Sequence, residues 1–323
     1  MVEQLETSVT RPRLELIVSA KHAVADGVVA LTLASSEGHR LPDWAPGAHI
    51  DVMLPNGLTR QYSLCGDRWD PATYRIGVLE EPASRGGSAY LHHKLQIGDR
   101  VGIGGPRNNF RLVPSEDYLF IAGGIGVTPL LPMVHQAELV GARWRLLYCG
   151  RSRSTMAFLD DLSRYGDNVV VAPSDERGRL SLGAWLPAAG VATKVYCCGP
   201  DRMLATVAGL CARYPAGQLR IERFAAKKND IRARTERFRL ELRRSAQTVE
   251  VSPDESVLDA LTRVGVNVLS SCRQGVCGTC LTAVLAGEPD HRDSLLDDVE
   301  RAAGDRMFVC VSRSLSERLV VDL

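Results

Sequence analysis

Four cysteines close to the C-terminus constrain this chain more than any other feature. Cys272, Cys277 and Cys280 fall in the run C-R-Q-G-V-C-G-T-C, and Cys310 follows 30 residues after Cys280. This spacing wraps a short loop with three thiolates around a [2Fe–2S] cluster and brings the fourth from a distant strand. Gly275 and Gly278 let the loop wind tightly and aim backbone N–H groups at sulfur. Other uses of cysteine fit less well. A structural zinc site pairs two short Cys-x-x-Cys knuckles, and only one pair here has that spacing. A thioredoxin-like pair would open a helix and leave Cys272 and Cys310 without a role. Disulfides belong to oxidising compartments, and nothing marks the chain as secreted. Such a cluster carries one electron at a time, so the rest of the chain is read as its supply.

The 323 residues predict two or three domains. With 45% hydrophobic and 24% charged residues the chain reads as a globular protein, and a net charge of +1 gives no argument for nucleic acid or an anionic membrane. The opening M-V-E-Q-L-E-T-S-V-T-R-P-R has early acids and no apolar core, so it does not read as a secretory signal. No apolar run approaches bilayer length. The expectation is a cytoplasmic monomer whose other five cysteines, Cys65, Cys149, Cys197, Cys198 and Cys211, are small buried hydrophobes.

Pattern divides the chain into residues 1–112, 113–226, a polar linker at 227–236, and 237–323. The first segment holds short strands, R-L-E-L-I-V-S-A-K, G-V-V-A-L-T-L-A, A-H-I-D-V-M-L, Y-R-I-G-V-L-E and D-R-V-G-I-G-G, with turns at P-N-G and Q-I-G-D. Strands at regular spacing predict an antiparallel β-barrel. In the second segment Y-L-F-I-A, W-R-L-L-Y-C, N-V-V-V-A, K-V-Y-C-C and L-R-I-E-R-F read as short buried strands. Helices are expected around 129–140, 155–165, 181–189 and 201–213, so the prediction is a parallel α/β domain. The third segment, with R-F-R-L-E-L, T-V-E-V-S, a helix opening near D-E-S, and strands M-F-V-C-V-S and R-L-V-V-D-L, fits a β-grasp plant-type ferredoxin domain.

Two runs point to a dinucleotide. G-G-I-G-V-T-P, with Gly123, Gly124, Gly126, Thr128 and Pro129, lies between a strand and a helix, where glycines let a pyrophosphate approach the backbone. C-C-G-P-D-R-M, with Cys198, Gly199 and Pro200, ends a later strand, where ligands of open parallel sheets bind. Asp175, just past N-V-V-V-A, is placed to bond an adenosine ribose and so favour NADH. Arg151, Arg153, Arg177 and Arg179 are the opposing candidates for a 2′-phosphate. Two further runs suit a flavin. R-Q-Y-S-L supplies Arg60 for a phosphate, Tyr62 for the ring or ribityl chain, Ser63 for the polar edge, and Leu64. R-G-G-S, with Gly86, Gly87 and Ser88, forms a second phosphate-facing nest. These account for one phosphate and no adenine platform is marked, so FMN is expected, with FAD as the alternative.

Together and in this order the motifs resemble the phthalate dioxygenase reductase family over nearly the whole chain. Arg60-x-Tyr62-Ser63-Leu64 and Gly86-Gly87-Ser88 resemble its flavin motifs. Gly123-Gly124-x-Gly126-x-Thr128-Pro129 and Cys198-Gly199-Pro200 resemble its nicotinamide-nucleotide motifs, and the four cysteines its cluster ligands. Glu222-x-Phe224 is similar to the element whose aromatic ring covers the isoalloxazine. The resemblance implies FMN, NADH and delivery to an oxygenase, often a Rieske non-haem iron enzyme acting on aromatic acids. It sets Ser63, Cys198, Glu222 and Phe224 around the reacting rings. A cytochrome P450 or other haem acceptor is a further reading, and a non-catalytic iron–sulfur carrier another. Arg273, Gln274 and Val276, flanking the ligands, are the expected partner contact.

Overall fold

The computed structural model describes residues 14–81, 86–188, 192–225, 236–296 and 298–323. Arg85 and, apart from Glu236, the expected linker lie outside the described residues. The chain forms two compact units, one of Pro12–Arg223 and one containing Phe224–Leu323.

The first unit opens with strands β1 (Leu14–Ala25), β2 (Val28–Ala34), β3 (His49–Met53), β4 (Thr59–Ser63), β5 (Thr73–Leu79) and β6 (Arg100–Arg107), with helix α1 (Gly87–His93) before the last. They pair as an antiparallel sheet in the order β4-β3-β6-β1-β2-β5. An antiparallel bridge from Leu64 to Ile76 joins the end of β4 to β5, so the sheet curls toward closure. Alternate residues such as Leu16 and Val18, and Leu31 and Leu33, turn into the core, as the two-residue strand period requires.

The chain then alternates: β7 (Asp117–Gly123), α2 (Leu130–Leu139), β8 (Arg143–Gly150), α3 (Leu159–Ser163), β9 (Val169–Pro173), α4 (Ser174–Arg177), β10 (Lys194–Cys198), α5 (Asp201–Leu210) and β11 (Leu219–Glu222). All five strands are parallel, in the order β11-β10-β7-β8-β9. Central β7 is buried on both faces, hence its unbroken apolar run. The edge strands β9 and β11 are only half-buried over most of their length, which corrects the expectation of five buried strands. One face of this sheet shares a core with the barrel, through Val28, Ala30, Cys65 and Phe110.

Two expected helices are much shorter. Of the helix expected at 181–189, the described residues 181–188 make only a 3-10 turn, Leu182–Ala184, in a stretch interrupted by Gly183 and Pro187. The helix expected at 155–165 covers only Leu159–Ser163, because Phe158 takes a left-handed conformation, φ 63°, at its start.

In the second unit β12 (Phe238–Leu242), β13 (Gln247–Val251), α6 (Val257–Arg263), β14 (Leu281–Ala286), β15 (Pro289–Asp290), α7 (Asp298–Ala303), β16 (Arg306–Phe308), β17 (Arg313–Ser314) and β18 (Arg318–Val321) follow. The main sheet runs β13-β12-β18-β14-β16, parallel only at β12–β18, and α6 packs on it through Val257, Leu258, Ala260 and Leu261. This is the β-grasp arrangement. Ser256 caps α6 by accepting the Asp259 N–H at 3.0 Å, where D-E-S predicts the start. Cys310 does not lie on a strand: β16 ends at Phe308 and the chain turns, with the N–H groups of Val311 and Ser312 both bonded to the Phe308 carbonyl. Among the described residues no helix is long and apolar enough to cross a membrane.

Candidate functional site

On β4, Arg60 and Tyr62 share one strand face by the period of two, while Ser63 and Leu64 are buried. The Gly86–Ser88 turn is folded against them. Gly86 adopts φ 88° with open space around it, and a Cβ on Gly87 would stand 2.5 Å from Arg60 Nε. Only glycine therefore lets the Arg60 stem lie along that loop. Arg60 Nη1 also donates to the Thr59 carbonyl at 2.8 Å, and Ser88 Oγ accepts the Glu81 N–H at 3.2 Å. Burial holds the Tyr62 phenol above its ordinary pKa against the pull of Arg60, so it remains a neutral donor. A flavin phosphate suits this combination of a guanidinium and a glycine turn folded on it.

The two nucleotide motifs meet directly. After β7 the glycine run forms a 3-10 turn, Gly124–Val127, and α2 begins only at Leu130, one residue past Pro129. A Cβ on Gly126 would stand 2.3 Å from the Cys198 carbonyl oxygen, and one on Gly199 would stand 2.9 Å from Gly123 Cα. A Cβ on Gly123 would press on Pro200 at 2.7 Å. These glycines thus serve loop-to-loop contact, whereas Gly124, at φ 53° with nothing within 4 Å, leaves its backbone open to a phosphate. Thr128 is buried, and its hydroxyl donates to the Ile125 carbonyl at 2.9 Å, which uses it to hold the turn. Its methyl lies 2.8 Å from where a Cβ on Gly77 of β5 would be, so the turn rests on the barrel.

Cys198 ends β10 fully buried, and its thiol faces Glu222 Oε2 at 4.0 Å at the end of neighbouring β11. Burial, then the Glu222 charge, raises the thiol well above its ordinary range, and burial pushes Glu222 up to about 8. Burial thus favours the protonated, uncharged form of both side chains. Asp175 is exposed on α4, and its N–H donates to the Arg151 carbonyl at 3.0 Å. Arg153 is engaged by Glu176 at 2.9 Å. The rival ribose and phosphate candidates therefore share one loop pair, at the carboxyl ends of β8 and β9. Phe224, 47% exposed, opens the second unit.

In that unit the cysteine loop follows α6. The Gln274 N–H points at Cys272 Sγ at 3.3 Å, and the Thr279 N–H at Cys277 Sγ at 3.4 Å, as thiolate ligands require. Cys277 interacts with Cys272, and Cys310 with both Cys272 and Cys280, so all four thiols are linked in pairs. The linked pairs suit two irons sharing four thiolates. The Cys272 thiol, then burial, holds Cys277 well above the thiol range. For Cys310 the Cys272 thiol pulls downward but Cys280 and burial prevail, to about 12. Cluster loading therefore releases protons. Arg273 is exposed at φ 53° and pairs with Asp259 at 3.5 Å.

A segment that the motifs did not mark straps this loop. The Ser294 N–H donates to the Gly275 carbonyl at 2.9 Å, and the Arg292 N–H to Ser312 Oγ at 3.3 Å. Its only signal in the sequence is the polar run H-R-D-S, which lacks a periodic pattern.

Residues 240–315 match the 2Fe-2S iron-sulfur cluster binding domain, Fer2. The chain is 45% identical to phenoxybenzoate dioxygenase subunit beta of Ectopseudomonas oleovorans, over 94% of this chain and 96% of the relative. A solved phthalate dioxygenase reductase, described as a modular structure for electron transfer from pyridine nucleotides to [2Fe–2S], superposes with a TM-score of 0.70 at 35% identity, covering 96% of this chain and 98% of the other. An intact type IV self-sufficient cytochrome P450 monooxygenase superposes with a TM-score of 0.90 at 40% identity, over 96% of this chain but only 41% of that larger one. Likeness of this extent, along a chain that joins a flavin barrel, a nucleotide domain and a ferredoxin, places the protein in the phthalate dioxygenase reductase family, whose members are flavin- and nicotinamide-dependent [2Fe–2S] oxygenase reductases.

Proposed function

We propose that the chain takes hydride from NADH onto FMN and delivers single electrons through its cluster to a separate terminal oxygenase, a Rieske non-haem iron enzyme acting on an aromatic compound. The observation that carries the inlet is the seating of Gly126 against the Cys198 carbonyl, which joins a phosphate-facing turn to the buried Cys198 at the end of β10. A bound flavin supplies the change from paired to single electrons. The chain's own residues bind, orient and exclude water. Arg60 and the Gly86–Ser88 turn grip one phosphate, which favours FMN over FAD. Tyr62 and Ser63 orient the ring. Cys198 and Glu222 wall the nicotinamide side, and no proton needs to move there. Asp175 takes the adenosine ribose, which favours NADH over NADPH. We read the first unit as two domains meeting near residue 112, and the whole as a cytoplasmic monomer.

Arg273, Gln274 and Val276 are read as the partner contact. The oxygenase reading draws on the relative named for phenoxybenzoate dioxygenase. A haem acceptor is the second reading, and the likeness to part of a self-sufficient P450 favours it. Reconstitution of NADH-driven turnover with each kind of acceptor decides between them. Cofactor released by denaturation and identified by chromatography tests the flavin, and recovery of FAD overturns that part.

A further inference from the structure

Behind the cysteine loop lies a buried pair of titratable side chains that no electron carrier needs for ligation. His291 is 8% exposed at its side chain and Asp293 0%, and their nearest atoms, Nδ1 and Oδ1, are 3.9 Å apart. That gap is too long for a hydrogen bond. Both ring nitrogens of His291, and Asp293 Oδ1, are buried without a hydrogen-bond partner. Buried polar atoms are normally bonded, so three unbonded ones on two adjoining side chains call for an explanation.

The surroundings hold the pair in place. Asp293 Oδ2 accepts the N–H groups of Leu295 and Leu296 at 3.0 and 2.8 Å. Arg301, on α7, donates to the carbonyls of His291, Asp293 and Leu296 at 3.2, 2.6 and 3.0 Å. Asp290 and Arg292 pair with each other at 2.6 Å, and Arg313 faces Asp290 across the β15–β17 ladder. Burial, chiefly, and then the Arg301 charge disfavour a charged His291 ring. Asp293, the Arg301 carbonyl (near, though outside bonding geometry) and Asp290 favour one, and burial prevails.

The same segment touches both parts of the ligand set. Asp293 Cα lies 2.9 Å from where a Cβ on Gly275 would be, inside the C-R-Q-G-V-C loop. Ser294 bonds Gly275, and Arg292 bonds Ser312, two residues past Cys310. Gly275 in turn hydrogen-bonds the Cys310 thiol through its backbone, so the segment holding His291 and Asp293 reaches a ligand across one residue.

We propose that His291, backed by Asp293, takes up a proton when the cluster is reduced, so that electron entry into this domain is coupled to proton entry. The electron comes from the flavin and the proton from solvent. One N–H bond forms on the imidazole, nothing leaves, and the ring N–H turns to Asp293 Oδ1. The added negative charge raises the affinity of the ring for its proton, so the cluster's midpoint potential falls as pH rises between the ring's two pKa values. The limiting slope is tenfold in the equilibrium constant per pH unit, ~59 mV for one electron.

This inference rests on the iron–sulfur reading of the cysteines, and the two fail differently: a purified chain without iron sinks that reading itself. The test is a redox titration of the holoprotein, followed by the electron paramagnetic resonance of the reduced cluster, from about pH 5 to about pH 9. A sloping midpoint is expected in the native chain and a flat one in His291→Gln with the spectrum retained. A flat native profile overturns the proposal, as does an unchanged slope in His291→Gln. Asp293→Asn, which keeps an oxygen for Leu295 and Leu296, serves if glutamine at 291 prevents loading. It should move the sloping window to lower pH, and an unmoved window overturns the proposal.

Discussion

Arg75 grips Asp161 with both ends of its guanidinium, at 2.6 and 3.3 Å, and so ties barrel strand β5 to helix α3 across 86 residues of sequence. The same guanidinium lies 4.8 Å from the Phe158 ring centroid, and Phe158 in turn packs on Gly77. The pair is a quarter to a third exposed, so it is worth more than a surface pair and less than a dry one. Asp161→Asn should cost about 1–2 kcal/mol, read as a lower denaturation midpoint of flavin fluorescence with the slope unchanged. A loss within error would mean the contact is incidental.

Gly126→Ala should damage the nucleotide site and spare the rest. An added Cβ meets the Cys198 carbonyl at 2.3 Å, and backbone cannot swing aside as a side chain can. Hydride transfer from NADH, measured by stopped-flow flavin bleaching, should slow about tenfold or more. Flavin and iron content should stay at native levels, because neither of those sites includes Gly126. Loss of flavin along with the rate would show that the turn supports the barrel as a whole.

Glu222 predicts a pH effect on stability. Its folded value of about 8 stands above the ordinary 4.5, so over that window the folded chain keeps a proton the unfolded chain has lost. Stability from this group is therefore full below about 4.5 and declines as pH rises toward 8. Glu222→Gln removes the decline. Thermal melts across the window should show the native chain losing ground to the variant as pH rises, and parallel melts would refute the assignment.

Cys310→Ser should abolish or badly weaken the cluster while NADH still reduces the flavin. Iron analysis should fall well below the two atoms per chain expected of a [2Fe–2S] protein. The expectation follows from the division of the chain at Arg223 and Phe224, which leaves the cysteines in a core of their own. A variant that no longer binds flavin would show that the two units do not fold separately.

Much of this was legible in the residues, for physical reasons. The spacing of Cys272, Cys277 and Cys280 is local chemistry, and a tight loop around a metal cluster leaves little freedom. Central strands such as Y-L-F-I-A announce themselves because both faces are buried. Edge strands β9 and β11 look the same in one dimension, and their exposure depends on strand order, which no local pattern carries. The helix expected at 181–189 failed because Gly183 and Pro187 outweighed the apolar spacing around them. Strand β14, L-T-A-V-L-A, went unread although it alternates exposed and buried positions until its last residue. Beyond reach were partnerships made only in three dimensions. Arg75 with Asp161 and Gly77 with Thr128 are of this kind. So is the bond from Ser294 to Gly275, without which H-R-D-S is one more polar stretch.

The seat of Gly126 on the Cys198 carbonyl has a mechanical meaning. At that seat two loops more than 70 residues apart touch backbone to backbone. A displacement of one is passed whole to the other. Grip on the phosphates and placement of the reacting ring therefore make up a single adjustable quantity, and no substitution in either loop can retune one while leaving the other where it was.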